Sequence, residues 1–259
     1  MTLAYKRIEI NYQVSGKGAP LVFLHGFLEN LHMWDEIVSY FSETYTCIAI
    51  DLLGHGKTAC IGYIHKMEDM ANAVHAVIST ITTDRPIFIG HSMGGYVSLA
   101  YLDLYPKKLS GLVLLHSTSF ADSEERKINR DRAINIVKKN PTAYTSMAIS
   151  NLFAENNRIT YQSQIEEIKN EASKNPLQGI IAALEGMKIR KDHSTTLLKF
   201  NAPKIIFAGV QDPVLSYQQS IKESRYCKTE FISFNCGHMS FIEHIDELLN
   251  YLHQFLKQY

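Results

Sequence analysis

Hydrophobic residues along the chain follow two different periods. Residues 3–15 alternate between apolar and polar side chains, which is typical of an antiparallel strand or hairpin with one face in water. Continuous apolar runs near residues 21–24, 45–50, 86–90 and 112–115 instead predict strands buried on both faces. Apolar stripes of helical period lie between them, as at 67–81. The alternation of strands and helices predicts an α/β fold with a mostly parallel central sheet flanked by helices.

This pattern changes between residues 118 and 199, where no strand is predicted. Four stretches of helical period replace the strands, and they are separated by Asn-Pro or Asn-Asn breaks. The alternation then resumes, with strands predicted at 204–210 and 229–234 and helices at 216–224 and 241–256. We therefore expect a core domain made of residues 1–117 and 200–259, interrupted by a helical insertion at 118–199. The four stretches lie at 128–137, 144–152, 161–172 and 177–184.

The composition is that of an ordinary globular protein, with 46% hydrophobic and 20% charged residues in 259. Lys plus Arg equals Asp plus Glu at 26 each, so no electrostatic footprint predicts binding to nucleic acid. No apolar run approaches the ~20 residues of a membrane span, and the N-terminus lacks a signal-peptide apolar region. We interpret the cysteines as free thiols of a reducing compartment and expect a cytoplasmic protein. They are Cys47, Cys60, Cys227 and Cys236.

One predicted strand ends in Gly90-His91-Ser92-Met93-Gly94, and a helical stripe follows at once. Strand, sharp turn and helix form the context in which G-x-S-x-G presents a nucleophilic serine. Gly90 and Gly94 flank Ser92 at positions where a side chain would crowd the crossing of strand and helix. The N–H of Met93 lies in the first helical turn and lacks an intrahelical partner. This segment therefore predicts a nucleophile and one donor of an oxyanion hole.

A serine nucleophile needs a base, and two later strand ends supply the partners. A histidine takes the serine proton and later returns it to the leaving group, while a carboxylate orients that histidine. Asp212 follows the strand predicted at 204–210, and His238 lies between the last strand and the last helix. The chain order Ser92, Asp212, His238 is the one expected when the nucleophile lies on a strand-to-helix turn. We predict these three residues as a catalytic triad.

The loop after the first buried strand reads His25-Gly26-Phe27. A backbone N–H from this loop is expected to be the second oxyanion donor, and we assign it to Phe27. Gly26 lets the loop approach the site closely. We interpret His25 and His91 as structural supports of the two turns.

Several other residues are weaker candidates. Asp51, in the sequence D-x-x-G-x-G, is interpreted as ordering a turn rather than acting as an acid. Asp122 lies too far beyond its strand to be favoured as the triad acid, and His244 falls inside the predicted last helix. No metal is predicted, because no common zinc pattern has the spacing C-x8-C-x-H found in Cys227, Cys236 and His238.

Taken together, these motifs resemble the α/β-hydrolase superfamily over nearly the whole chain. The resemblance implies that residues 118–199 form a helical cap over the pocket, inserted after the sixth strand. It also implies a cofactor-free enzyme whose partner is a small-molecule ester-type substrate, acting as a monomer or homodimer. The residues that carry it are His25-Gly26-Phe27, Asp51-x-x-Gly54-x-Gly56, Gly90-His91-Ser92-Met93-Gly94-Gly95, Asp212 and Gly237-His238.

The activity expected from the resemblance is hydrolysis of a carboxylic ester or thioester through an acyl-enzyme. Two alternatives stay open: carbon–carbon bond hydrolysis or lyase chemistry by the same triad, and a ligand sensor of low turnover on the same scaffold. Arginines of the insertion are candidates for meeting an acidic substrate, but we interpret most of them as a solvated helix face and predict no acid-binding clamp. They are Arg126, Arg130, Arg132, Arg158 and Arg190.

Overall fold

The computed structural model describes residues 1–258, so the last residue of the predicted core range 200–259 lies outside them. An eight-stranded sheet in the order β1-β2-β4-β3-β5-β6-β7-β8 forms the centre of the molecule. All neighbouring strands from β4 to β8 are parallel, while β1 and β2 pair antiparallel, as the two hydrophobic periods predicted. The strands are β1 (Thr2–Tyr5), β2 (Ile8–Ser15), β3 (Pro20–Leu24), β4 (Thr46–Ile50), β5 (Ile87–His91), β6 (Gly111–Leu115), β7 (Lys204–Gly209) and β8 (Glu230–Phe234).

Helices cover both faces of the sheet. Successive residues of a strand point to opposite faces, so Val22 of β3 belongs to one hydrophobic core and Phe23 to a second. Both residues are fully buried, which explains why β3 is apolar throughout. The helices are α1 (Asp35–Phe41), α2 (Met67–Ile81), α3 (Met93–Leu104), α4 (Glu124–Lys139), α5 (Pro141–Ser150), α6 (Gln162–Ala172), α7 (Leu177–Lys188), α8 (Ser194–Lys199), α9 (Tyr217–Cys227), α10 (Ser240–Glu243) and α11 (Ile245–Leu256).

Five helices, α4 to α8, lie between β6 and β7, and no strand interrupts them within this fully described stretch. The four helical stretches predicted from periodicity correspond to α4 to α7. The fifth, α8, was not predicted, because six residues are too few to display a helical period. The division into a core and a cap at residues 118–199 stays a prediction.

The continuous helix predicted at 241–256 is wrong. The chain breaks at His244, whose φ of −148° and ψ of 46° separate α10 from α11. Glu243 is 6% exposed and accepts a hydrogen bond from the Gly237 N–H at 3.0 Å, so the last residue of α10 turns inward. Apolar residues continue on both sides of the break, and periodicity alone did not reveal it. His244 is therefore a junction residue rather than part of a helix.

Within residues 1–258, every helix falls short of the length and apolarity needed to span a bilayer.

Candidate active site

Five parallel strands deliver polar side chains to one edge of the sheet. The carboxyl ends of parallel strands meet at the same edge, which is where ligand sites of such sheets form. His25 follows β3, Ser92 follows β5 and His116 follows β6. Asp212 and His238 come from the loops after β7 and β8. The structure therefore brings together the three residues predicted as a triad, and it adds a histidine, His116, to which no role was assigned from the sequence.

Ser92 occupies a strained turn between β5 and α3. Its φ of 49° and ψ of −111° are unfavourable for a residue with a side chain, and its N–H is fixed by the Leu115 carbonyl at 2.9 Å. The turn is tight because a Cβ on Gly94 would lie 2.1 Å from the Leu24 carbonyl oxygen. A Cβ on Gly90 would likewise lie 2.6 Å from the Gly94 carbonyl oxygen. Glycine is therefore required on both sides of Ser92.

Asp212 holds the ring of His238. Its Oδ2 accepts a hydrogen bond from His238 Nδ1 at 2.6 Å, while its Oδ1 accepts the N–H groups of Val214 and Leu215 at 2.7 and 2.9 Å. Burial alone would raise the pKa of Asp212, but the electrostatic interaction with the neighbouring His238 and the hydrogen bonds from the rings of His116 and His238 hold this pKa far below its usual range. Asp212 is therefore an ionised carboxylate.

The opposite ring nitrogen of His238 has no partner. Nε2 is buried and makes no hydrogen bond to any of residues 1–258. It lines the same cavity as Ser92. Because Nδ1 donates to Asp212, Nε2 carries the free lone pair and is available to accept a proton from a group in the cavity.

Two backbone N–H groups near Ser92 are also unpaired. Neither the N–H of Phe27 nor that of Met93 has a hydrogen-bond acceptor within the described part of the chain. The first belongs to the loop after β3, and the second opens α3. The side chains of Phe27 and Ser92 line one cavity. Two free donors beside a serine are the arrangement that stabilises a negatively charged oxygen.

A buried ion pair under these loops was not predicted from the sequence. His91 Nδ1 donates to Glu29 Oε2 at 2.8 Å, and its Nε2 donates to the His238 carbonyl at 3.0 Å. Glu29 Oε2 also accepts the Gly26 N–H at 2.7 Å. Burial would lower the pKa of His91, but the Glu29 carboxylate raises it above its usual value. Both ring nitrogens face hydrogen-bond acceptors, so this imidazole is charged. The pair connects the loops that carry Phe27, Ser92 and His238.

His25 and Asp51 both form hydrogen bonds with the backbone of the loops beside the site. The Leu52 N–H donates to His25 Nε2 at 2.9 Å, which assigns the ring proton to Nδ1, and Nδ1 donates to the Gly26 carbonyl at 2.8 Å. Asp51 accepts the N–H groups of Leu31 and Lys57 at 2.8 Å each, and it is 2% exposed. Asp51 thus orders two loops. Both residues support the site from behind and do not line its cavity.

His116 contacts the same carboxylate oxygen as His238. Its Nδ1 lies 3.3 Å from Asp212 Oδ2, and its Nε2 lies 2.8 Å from the hydroxyl of Ser240. Burial lowers the pKa of His116 to about 4, so the ring is neutral and donates from Nδ1. The signal was present in the sequence, because His116 follows a buried strand just as the predicted site residues do.

His116, Asp212 and His238 also form a potential metal-binding cluster, since their donor atoms lie within 4.8 Å of one another. However, both histidine Nδ1 atoms already lie within hydrogen-bond distance of Asp212 Oδ2. A metal bound by both of these nitrogens would have to displace both protons. The arrangement fits a hydrogen-bonded triad better than a metal centre, and the absence of a metal stays a prediction.

The cavity in front of Ser92 has a volume of about 100 Å³. Helices α4, α5 and α7 and the loop after β7 contribute to its wall. Two arginines of α4, Arg126 and Arg130, line it, so these two do not lie on the solvated helix face that was expected for most of the arginines. The aliphatic and phenyl side chains of the wall are Phe27, Leu28, Ala148, Ile149, Leu152, Met187 and Val214.

An eight-stranded sheet of this order, with a serine on a strained turn at its carboxyl edge, defines an α/β-hydrolase. The family described as alpha/beta hydrolase fold matches residues 19–160, more than half of the chain. The chain therefore belongs to this family and is a hydrolase of the α/β class.

Relatives of several activities share the fold. A solved thermophilic esterase from Thermogutta terrifontis, with malate bound, is 26% identical with a TM-score of 0.91, covering 97% of this chain and 94% of that one. An enol-lactonase structure from Burkholderia xenovorans LB400 is 18% identical with a TM-score of 0.91, covering 99% and 100%. A 2-(acetamidomethylene)succinate hydrolase from Mesorhizobium japonicum is 24% identical over 225 residues, covering 85% and 80%.

Proposed function

We propose that this chain hydrolyses a small carboxylic ester or lactone through a covalent acyl-enzyme on Ser92. The observation that carries the proposal is the unpaired, buried Nε2 of His238, which lines one cavity with Ser92 while Asp212 holds its Nδ1. The esterase and the enol-lactonase among the similar structures support the substrate class. The cap proposed at residues 118–199 closes this cavity from above.

The mechanism follows from the direction of each hydrogen bond. Ser92 Oγ attacks the carbonyl carbon of the ester while His238 Nε2 takes the hydroxyl proton. The carbonyl oxygen becomes an oxyanion and is stabilised by the N–H groups of Phe27 and Met93; one such donor contributes about 3 kcal/mol. The ionised Asp212 stabilises the imidazolium form of His238.

Collapse of the tetrahedral intermediate formed by this attack breaks the ester bond. His238 gives its proton to the departing alkoxide, and the acyl group remains on Ser92. A water molecule then attacks the acyl-enzyme, His238 takes one of its protons, and the carboxylic acid leaves as Ser92 regains its proton. Every proton taken by His238 is returned, so no cofactor or metal is needed in this proposal.

The test is hydrolysis of 4-nitrophenyl esters from acetate to dodecanoate by the wild type and Ser92→Ala. We expect the variant to lose at least about a thousand-fold in kcat, as triad deletions do. Ser98→Ala is the matched control, because Ser98 is a buried serine of the adjoining helix α3 whose hydroxyl donates to the Gly94 carbonyl within the helix. A wild-type rate in Ser92→Ala would contradict the proposal, as would a folded wild type that turns over no ester.

Chemical trapping adds a direct readout. Rapid quenching with a slow ester, followed by peptide mass analysis, should find the acyl group on the peptide that contains Ser92. A cleaved ester without this adduct, in a protein whose Ser92→Ala variant is inactive, would argue for general-base attack by water instead. Turnover is also expected to be unchanged after dialysis against EDTA, and loss of activity there would favour a metal on the cluster of His116, Asp212 and His238.

A further inference from the structure

Three arginines converge on one buried carboxylate beside the cavity. Asp122 Oδ1 accepts from Arg126 Nε at 3.0 Å and from Arg190 Nη1 at 2.6 Å, and its Oδ2 contacts Arg130 Nε. Asp122 is 4% exposed. Three guanidinium groups face a single carboxylate, so the cluster carries two positive charges in excess. Asp122, Arg126 and Arg130 follow one another at intervals of four residues, and only Arg190 comes from a distant segment.

Arg190 is the inner support of this cluster. Its side chain is 3% exposed, and its guanidinium lies 4.0 Å from the ring centre of Tyr96. It also donates to the carbonyls of Met187 and Phe120 at 3.1 and 3.0 Å. Its hydrogen bonds and its stacking therefore fix Arg190 to the protein. Arg190 holds Asp122 in place but is not presented to the cavity.

Arg126 and Arg130, in contrast, line the cavity together with Ser92 and His238. Arg126 donates from Nη1 to the Val214 carbonyl at 2.9 Å, and its Nη2 has no acceptor among residues 1–258. Arg130 uses only Nε, and neither of its Nη nitrogens has an acceptor among residues 1–258. Arg130 is thus a partly buried guanidinium with a pair of donors left over, which is the geometry that binds a carboxylate or phosphate group.

Glu29 is the acidic residue that lines the same cavity, but it does not neutralise the arginines. Its carboxylate pairs with the charged His91 at 2.8 Å. Asp212 stays ionised behind the neutral ring of His238 and does not line the cavity. The two excess positive charges of the arginines outnumber this one negative charge, in a chain whose total charge is zero. An anionic group of the ligand would balance the remaining positive charge.

We infer that the substrate is a short-chain ester or lactone whose acyl part carries a second, free carboxylate, bound by the guanidinium groups of Arg130 and Arg126. This inference rests on the proposed function, since the cleaved bond is placed at Ser92. The small cavity, about 100 Å³, favours an acyl group of a few carbon atoms over a fatty chain. Of the two anions that a planar guanidinium pair binds, the carboxylate is the smaller and suits this small cavity better.

The experiment compares two substrates that differ only in charge. Mono(4-nitrophenyl) glutarate carries the carboxylate, and 4-nitrophenyl 4-carbamoylbutanoate replaces it by a neutral amide of the same shape. Charge-assisted hydrogen bonds are worth enough for a preference of about ten- to hundred-fold in kcat/KM, expressed mainly in KM. We expect Arg130→Gln to reduce this preference to nearly one and Arg130→Lys to retain part of it.

Arg132→Gln is the matched control, because Arg132 lies on α4 but is bonded to the exposed Asn129. It should keep the wild-type preference. No preference in the wild type, or equal losses on both substrates in Arg130→Gln, would overturn the inference and leave the cluster as a purely structural one. If neither ester is turned over by the wild type, the proposed function fails instead. The anion site is then tested by thermal shift, in which glutarate should raise the unfolding temperature more than the neutral glutaramide does.

Discussion

Replacing Asp212 by Asn tests whether this carboxylate orients the base. The protein itself dictates which way the new amide must point. Oδ1 of Asp212 accepts two backbone N–H groups, from Val214 and Leu215, and only an oxygen can stay there. The amide NH2 must therefore replace Oδ2 and point its hydrogens at His238 Nδ1. His238 can accept that donor only in the tautomer that carries its proton on Nε2.

The expected loss is large because the base is then protonated at the wrong nitrogen. An Nε2–H cannot take the proton of Ser92, and the negative charge that would stabilise the imidazolium is gone. The same change in a serine-protease triad lowers kcat about 10⁴-fold, equivalent to roughly 5 kcal/mol in the barrier. We expect a loss of the same order for Asp212→Asn, with KM changed far less than kcat.

The assay is steady-state hydrolysis of 4-nitrophenyl butanoate at pH 7 to 8, with folding checked by circular dichroism. Asp51→Asn is the comparison, since Asp51 is equally buried but bonds to loop backbone outside the cavity; it should lower stability more than kcat. A folded Asp212→Asn enzyme within ten-fold of the wild type would refute the assignment. Asp51 and Asp122 would then return as candidates for the acid.

Three further outcomes follow from single contacts. Gly94→Ala should lower the urea-unfolding free energy by about 1–3 kcal/mol, because the new Cβ would lie 2.1 Å from the Leu24 carbonyl; Gly62→Ala, with open space around it, should change it by less than ~0.5 kcal/mol. His116→Phe removes a donor to Asp212 Oδ2 and should lower kcat about ten-fold with KM unchanged, as steady-state kinetics would show. Burial lowers the pKa of His55 to about 3, so between pH 6.5 and 3 the unfolded state binds one more proton than the folded state, and stability falls as the pH drops. In urea titrations, the slope of the unfolding free energy against pH should be shallower in His55→Gln, by up to about 1.4 kcal/mol per pH unit.

The sequence predicted the sheet well because strand burial leaves a local trace. Each central strand contains a continuous apolar run, and β3 and β5 lead into glycine-containing turns whose residues can be read directly. The predicted triad residues lie where such strands end, and their order along the chain indicated which is the nucleophile, which the carboxylate and which the base. The break at His244 escaped prediction because apolar positions continue through it, and α8 escaped because it is short.

Contacts between distant segments produce no comparable pattern in the sequence. Glu29 lies in the loop after β3, and only the fold shows that it pairs with His91, which lies 62 residues away. His116 was visible at the end of β6, but its sharing of Asp212 with His238 depends on two loops meeting. Periodicity reports which face of an element is buried, not which side chain lies opposite. Partners of buried polar groups therefore required the structure.

The total charge illustrates the same limit with a functional consequence. A net charge of zero gave no reason to expect a nucleic-acid surface, yet it carried no information about local imbalance. Asp122 is the single counter-charge for Arg126, Arg130 and Arg190, and two of these cations line the cavity. Burial would raise the pKa of Asp122, but Arg130 and Arg190 hold it below its usual value, so its charge stays in place at neutral pH. The cavity is thus positively charged inside a neutral protein, and this local field is what would select an anionic acyl group over a neutral one.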